Sequence, residues 1–161
     1  MKILGLFFLL ILLLAVMVVG AGQLGLLAGS VPKQLGVVEG RLRPPSDNPN
    51  SVSSQAGLYP GHPQQAYAAI EPLKFSGDGE AAMAKLAGIL HSNKGTVVIT
   101  RKADYIYAQC STPLLKFTDD VEFWLDKSAG VIHFRSASRL GRKDFGANRA
   151  RMESIRAQFQ A

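Results

Sequence analysis

The sequence predicts an α+β fold: one antiparallel sheet of about five strands with two helices on one face, in the order β-α-β-β-β-β-α, behind an apolar N-terminal segment. Three observations predict it. Four strand-like runs follow one another between Thr96 and Ser136, joined by connections too short for crossovers. Two stretches with apolar residues at helical spacing bracket them. The chain of 161 residues, less its apolar start, is long enough for one core and not two.

After Met1 and Lys2, the run Ile3 to Gly22 has no polar side chain, and Gln23 is the first interruption. Twenty residues in a helix span about 30 Å, the thickness of a bilayer's hydrocarbon core. A chain this apolar has to satisfy its backbone polar groups internally, so the membrane is the expected partner of residues 3–22. The competing reading is a signal peptide cleaved among Gly20, Ala21 and Gly22. An ordinary signal core is about 7–15 residues, and this longer run favours a retained anchor. No cysteine follows the run to accept a lipid. With Lys2 inside, the expected setting is the bacterial cell envelope: a single-pass inner-membrane protein with its domain on the periplasmic side. Lys33, Arg41 and Arg43 on the other flank make the charge asymmetry slight.

The expected organisation is an anchor over residues 1–25, a linker over 26–63 and a single domain over 64–161. The linker is rich in Pro, Gly, Ser, Asn and Gln, with Pro44, Pro45, Pro49, Pro60 and Pro63 breaking any regular pattern. It reads as a tether or as a loop laid against the domain. Ile70 to Phe75 is a short candidate strand. Asp78 then caps a helix whose apolar face is Met83, Leu86, Ile89 and Leu90, and Lys94-Gly95 ends it.

Strands are expected at Thr96–Arg101, Tyr105–Thr112, Phe117–Asp126 and Val131–Ser136. In the third, Val121, Phe123 and Leu125 alternate with Glu122, Trp124 and Asp126, which predicts one buried face. The connection Pro113–Phe117 is apolar for a loop; it reads as core or, less favoured, as a loop that touches lipid or a partner. A final helix from about Phe145 carries Met152, Ile155 and Phe159 on one stripe, with Asp144 as its cap. A sheet face needs a cover, so both helices are expected on the same side. This order resembles helix-grip and TATA-binding-protein-like architectures, a likeness of shape and not of activity.

The formal net charge is +6, and from Arg135 to Arg156 seven basic residues stand against Asp144 and Glu153. The basicity is therefore a local property of the C-terminal segment. Cys110 is the single cysteine, and His62, His91 and His133 have no metal-ligand spacing, so no metal site is read here. No glycine-rich phosphate loop is present and no cofactor is expected. The basic segment lacks the interleaved aromatics of a base-stacking platform, which argues against nucleic acid. Nothing in the sequence indicates an oligomeric state.

Three motifs are specific: Asp119-Asp120-Val121-Glu122-Phe123, then Arg135-Ser136-Ala137-Ser138-Arg139-Leu140-Gly141, then Asp144-Phe145-Gly146-Ala147-Asn148-Arg149. In this order and spacing they resemble a bacterial and plastid family known as domain-of-unknown-function family 1499, over roughly Leu42 to Ala161. Asn48 to Ser54 is similar to a family segment that carries two cysteines. Here Pro45 and Ser51 stand in their places, so whatever those cysteines do elsewhere is not essential to this domain. The resemblance implies an envelope setting and supplies no reaction.

The candidate site comprises Arg135, Ser136, Ser138, Arg139, Asp144, Asn148 and Arg149, with Asp119 and Asp120 close in sequence. Strand alternation can present several of these groups on one surface, and a helix N-terminus beside them suits a phosphate or carboxylate. The competing structural reading is an ion-pair network that fixes strand, loop and helix in register. Asp119 and Asp120 are neighbours on a strand, so they face opposite ways and make a poor dyad. His133 has no serine or cysteine partner that spacing can identify, and Ser53 and Ser54 lack a nucleophile-elbow context. The leading expectation is a non-enzymatic binding or interaction module for an anionic ligand, a lipid headgroup or a partner protein of the envelope. The alternative is a small hydrolase-like or lipid-modifying enzyme using Asp119, Asp120, Arg135 and Arg139.

Overall fold

The computed structural model describes residues 2–161. Helix α1 (Lys2–Gln23) is long and apolar enough to cross a membrane, and none of its apolar window is buried against the rest of the chain. Along the chain follow strand β1 (Ser51–Ser53), a 3-10 turn (Ala56–Leu58), the short helix α2 (Gln65–Ala68), β2 (Leu73–Lys74) and α3 (Gly79–Ser92). Strands β3 (Thr96–Arg101), β4 (Tyr105–Ser111), β5 (Thr118–Asp126) and β6 (Val131–Ser138) and helix α4 (Ala147–Gln160) complete it.

All strand pairings in the sheet are antiparallel, and the fold is α+β. The sheet has six strands, ordered β1-β6-β5-β4-β3, with β2 also on the outer edge of β6. The strand beyond the five expected is β1, which the Pro-rich segment supplies by pairing Ser51–Ser53 with Arg135–Ala137. The expected strand over Ile70–Phe75 contracts to Leu73–Lys74, because only these two residues reach the β6 ladder, opposite Ile132 and Val131.

Both helices cover one face. Met83, Leu86 and Leu90 of α3 and Met152, Ile155 and Phe159 of α4 close on Ile106, Val121, Phe123, Ile132 and Phe134. The Asp78 carboxylate accepts bonds from the Glu80 and Ala81 amides, satisfying donors that the first turn of α3 leaves free. Helix α4 starts at Ala147, two residues later than expected, because Phe145 and Gly146 both adopt left-handed φ angles of 53° and 83°.

The other face departs from the expectation of one buried face. Residues 34–46 lie across it as a strap, with Leu35, Val37 and Leu42 packed against Tyr105, Tyr107 and Trp124. Both faces of β5 are consequently buried over most of its length, and Glu122 is fully enclosed. Alternation in β5 identified two faces correctly; it carried no sign that a distant, irregular segment would cover the polar one.

Candidate functional site

The residues picked out from the sequence divide among three places. The first is the strap-covered face, where β4, β5 and β6 present Tyr105, Tyr107, Asp120, Glu122, Arg135 and Arg139. Arg139 makes a two-pronged contact with Asp120, Nε to Oδ2 at 2.9 Å and Nη2 to Oδ1 at 2.7 Å, and also donates to the Tyr107 hydroxyl at 3.2 Å. Tyr107 in turn donates to Asp120 Oδ1 at 2.6 Å and accepts from Gln109 at 2.9 Å. The Asp120 partnership raises the proton affinity of Arg139, while burial raises that of Tyr107.

Arg135 is opposite Glu122 in the β5–β6 register. Its Nε donates to the Pro44 carbonyl at 2.9 Å and its Nη2 to Ser46 Oγ at 3.4 Å, so it holds the strap. Burial pushes its pKa down to about 10, leaving it charged at neutral pH. Glu122 Oε1 accepts from the Gly36 amide at 2.7 Å and from the Tyr105 hydroxyl at 2.8 Å. Burial raises the Tyr105 phenol, and the Glu122 charge adds to the effect.

The second place lies between β6 and α4 on the opposite face, where Asn148 is the hub. Its Oδ1 accepts from Ser136 Oγ at 2.5 Å and Arg151 Nη1 at 2.9 Å. Its Nδ2 donates to the Asn50 carbonyl, Ser138 Oγ and Asp144 Oδ2, each at 3.0 Å. Arg151 also grips Asp119 Oδ2 at 2.5 Å. Asp144 accepts from the Gly146 and Asn148 amides at 3.1 and 3.0 Å and from the Tyr67 hydroxyl at 2.7 Å. Burial works to raise the Asp144 carboxyl, but these bonds outweigh it and hold the group below its usual range. Asp119 and Asp120 therefore serve different networks on different faces.

Arg149 belongs to neither. It lines a cleft of about 750 Å³ between α4 on one side and the Ser53–Gly57 and Ala69–Pro72 segments on the other. The cleft opens where β1 and β2 leave a gap along the β6 edge, with β1 ending opposite Arg135 and β2 starting opposite Ile132. Lys74, Arg149 and Arg156 line it, together with Glu71 and Glu153. Arg156 is consumed by Glu153 at 2.8 Å and by the Pro72 and Glu71 carbonyls at 2.7 and 2.5 Å. Arg149 commits only Nη2, to the Tyr67 and Ala69 carbonyls at 2.6 and 3.0 Å.

Ser54 closes the gap in the edge. Its amide donates to the Phe134 carbonyl at 2.9 Å, and its hydroxyl accepts from the Phe134 amide at 2.8 Å. The same hydroxyl is 3.1 Å from His133 Nδ1, and His133 Nε2 is 3.9 Å from Asp126 Oδ2. Burial lowers the proton affinity of His133 against the opposing pull of Asp126, and the ring stacks on Trp124 at 5.6 Å. The Ser54 and His133 positions are 79 residues apart, so no spacing rule joins them. Sequence reasoning also missed Tyr105, Tyr107, Glu122 and Arg151 as partners of the charged motifs. The alternation in β5 placed Glu122 on the Asp120 face and was the available signal. Among the described residues, no three His, Cys, Asp or Glu side chains converge as a metal site would need.

A family model described as "Protein of unknown function (DUF1499)" matches residues 41–159. No curated protein and no solved structure matches the chain. The match takes in the sheet, both covering helices and every charged network described above, starting at the strap residue Arg41; the chain belongs to domain-of-unknown-function family 1499.

Proposed function

We propose that the protein is a membrane-anchored binding module rather than an enzyme, and that the cleft beside α4 takes a small anionic ligand, a carboxylate or a phosphate. The carrying observation is a contrast among the arginines. Arg135 and Arg139 are buried and bonded to the protein itself, and Arg151 is committed to Asp119, Ser136 and Asn148, whereas Arg149, bonded through Nη2 alone, borders an open cleft that exposed Lys74 also lines. A guanidinium with Nε and Nη1 uncommitted and an ammonium lining the same cleft are groups that recognise a carboxylate or phosphate. α1 keeps this module at a membrane, and with Lys2 inside it works on the periplasmic side of a bacterial inner membrane. The test uses the full chain in detergent micelles, titrated calorimetrically with inorganic phosphate and with glycerol 3-phosphate. Arg149→Ala and Lys74→Ala are expected to abolish a binding that Arg149→Lys weakens by about tenfold or less, the loss of one guanidinium hydrogen bond. Equal heats for wild type and both alanine variants would overturn the reading.

A second reading rests on the Ser54–His133 contact at the cleft's edge. In an ester-cleaving enzyme His133 would take the Ser54 proton, yet this hydroxyl is engaged by the Phe134 amide and the His133–Asp126 gap exceeds a hydrogen bond. A fluorophosphonate probe separates the two: the binding module leaves Ser54 unlabelled, and labelling abolished by Ser54→Ala would establish the enzyme.

A further inference from the structure

The end of the sheet nearest the anchor is built unlike the other. β4, β5, β6 and α3 place the connections 93–95, 112–117 and 139–146 together at one end, and α1 meets the domain there. Gln23 Nε2 donates to the Leu114 carbonyl at 2.7 Å. A Cβ on Gly22 would stand 2.6 Å from the Leu115 carbonyl oxygen, so the loop touches the helix backbone directly. Gly22 is the last residue of an apolar run of about 30 Å, the bilayer's own hydrocarbon thickness, and that fixes the depth of the loop. Whatever touches Gly22 is at headgroup level.

The side chains at this end fit that location. Leu114, Leu140 and Phe145 are 60%, 45% and 95% exposed, and Phe117 is exposed beside them. Phe145 is held at a φ of 53° and Lys116 at 56°, a left-handed backbone that bulky residues avoid. An aromatic ring projected into water from a strained backbone is doubly unfavourable unless something apolar receives it. Lys94, Lys116, Arg142 and Lys143 lie in the same three connections. The acidic groups at this end are Asp47, Asp119, Asp120 and Asp144; Asp119 is occupied by Arg151, Asp120 by Arg139, and Asp144 by Tyr67 and backbone amides. The opposite end, at the turns 102–104 and 127–130, mixes Lys102 and Lys127 with Asp104, Asp78 and Glu80.

We infer that the anchor-proximal end of the domain is a membrane-seating surface: Leu114, Phe117, Leu140 and Phe145 insert among the acyl chains and headgroups of an anionic bilayer, with Lys116, Arg142 and Lys143 on the phosphates. This is the way interfacial segments combine apolar insertion with basic contacts. The inference rests on α1 being a retained anchor, and the experiment separates the two.

The full chain, carrying Leu114→Cys, Phe145→Cys or Ala129→Cys, is labelled with a polarity-sensitive nitrobenzoxadiazole dye; the native Cys110 is buried. Each labelled protein is reconstituted into vesicles of phosphatidylglycerol and phosphatidylethanolamine containing doxyl-labelled lipid. Labels at 114 and 145 are expected to shift to the blue and be quenched several-fold more than the label at 129. Arg142→Glu with Lys143→Glu is expected to reduce quenching at 145, as is replacing the mixture with phosphatidylcholine. If the protein floats with the vesicles after an alkaline wash but all three labels are quenched alike, the seating surface is overturned and the anchor stands. If it does not float, the anchor falls and the seating surface with it.

Discussion

Removing the Arg139 guanidinium would strand Asp120 in a place from which water is nearly excluded, the two side chains being only 5% and 2% exposed. An isolated buried charge costs far more than a broken surface pair, so Arg139→Ala is expected to destabilise the domain by about 3–5 kcal/mol. Replacing both partners with apolar residues, Asp120→Leu with Arg139→Met, removes the stranded charge and is expected to recover most of that loss. Tyr107 then loses an acceptor, which sets a limit on the recovery. Denaturant unfolding followed by the fluorescence of Trp124, the chain's one tryptophan, reads both variants. A cost below about 1 kcal/mol for the single variant is the surface-pair value. It would return Arg139 to the set of residues available to a ligand.

The strap is held from the charged face by Glu122 and Arg135. Gln55 is its clamp: Oε1 accepts from the Leu42 amide at 2.8 Å and Nε2 donates to the Gly40 carbonyl at 2.8 Å, and Tyr59 donates to the Leu42 carbonyl. Gln55→Ala leaves the buried Leu42 amide unpaired and frees the exposed Gly40 carbonyl, a loss of about 1–3 kcal/mol. The loss is expected to be local. Amide exchange should accelerate over residues 36–44 while β4, β5 and β6 keep their protection; uniform acceleration across the sheet would show that strap and sheet open as one unit. The same element marks how far the sequence could be read. β3 to β6, α3 and α4 announced themselves through periodicity and through Asp78, because their own residues determine which face is buried. The strap has no period, and besides the packing of Leu35, Val37 and Leu42 its hold consists of single bonds from Gln55, Glu122 and Arg135 to backbone groups that any residue supplies. Composition therefore showed a Pro-rich segment and could not say where it lies. The candidate site suffered similarly. Each motif was visible, but Arg135 and Arg139 share a face with Tyr107 and Glu122, whereas Ser136 and Asn148 turn away from it. Strand alternation separates Arg135 from Ser136, and the register of β5 on β6 decides which β5 partners each meets.

Across the whole molecule, the contact between α1 and the loop Pro113–Leu115 decides whether the domain swings freely or stands fixed on α1. Two features favour a fixed stance: the Gln23 bonds to the Pro113 and Leu114 carbonyls, and the bare backbone of Gly22 against Leu115. A side chain at position 22 would have to displace backbone rather than a flexible side-chain tip, so Gly22→Val is expected to force helix and loop apart. The domain's own core lies elsewhere, on Phe123, Phe134 and the two covering helices, and its unfolding midpoint should not move. Spin labels at Leu6→Cys and Ala129→Cys, in the full chain reconstituted into nanodiscs, report the stance as a distance distribution. Wild type is expected to give one narrow peak and Gly22→Val a broad one, at equal thermal stability. Equally broad peaks would mean that the Gly22 contact does not fix the domain. Loss of stability together with broadening would mean that α1 props up the fold, so that helix, strap and sheet unfold as a single cooperative body.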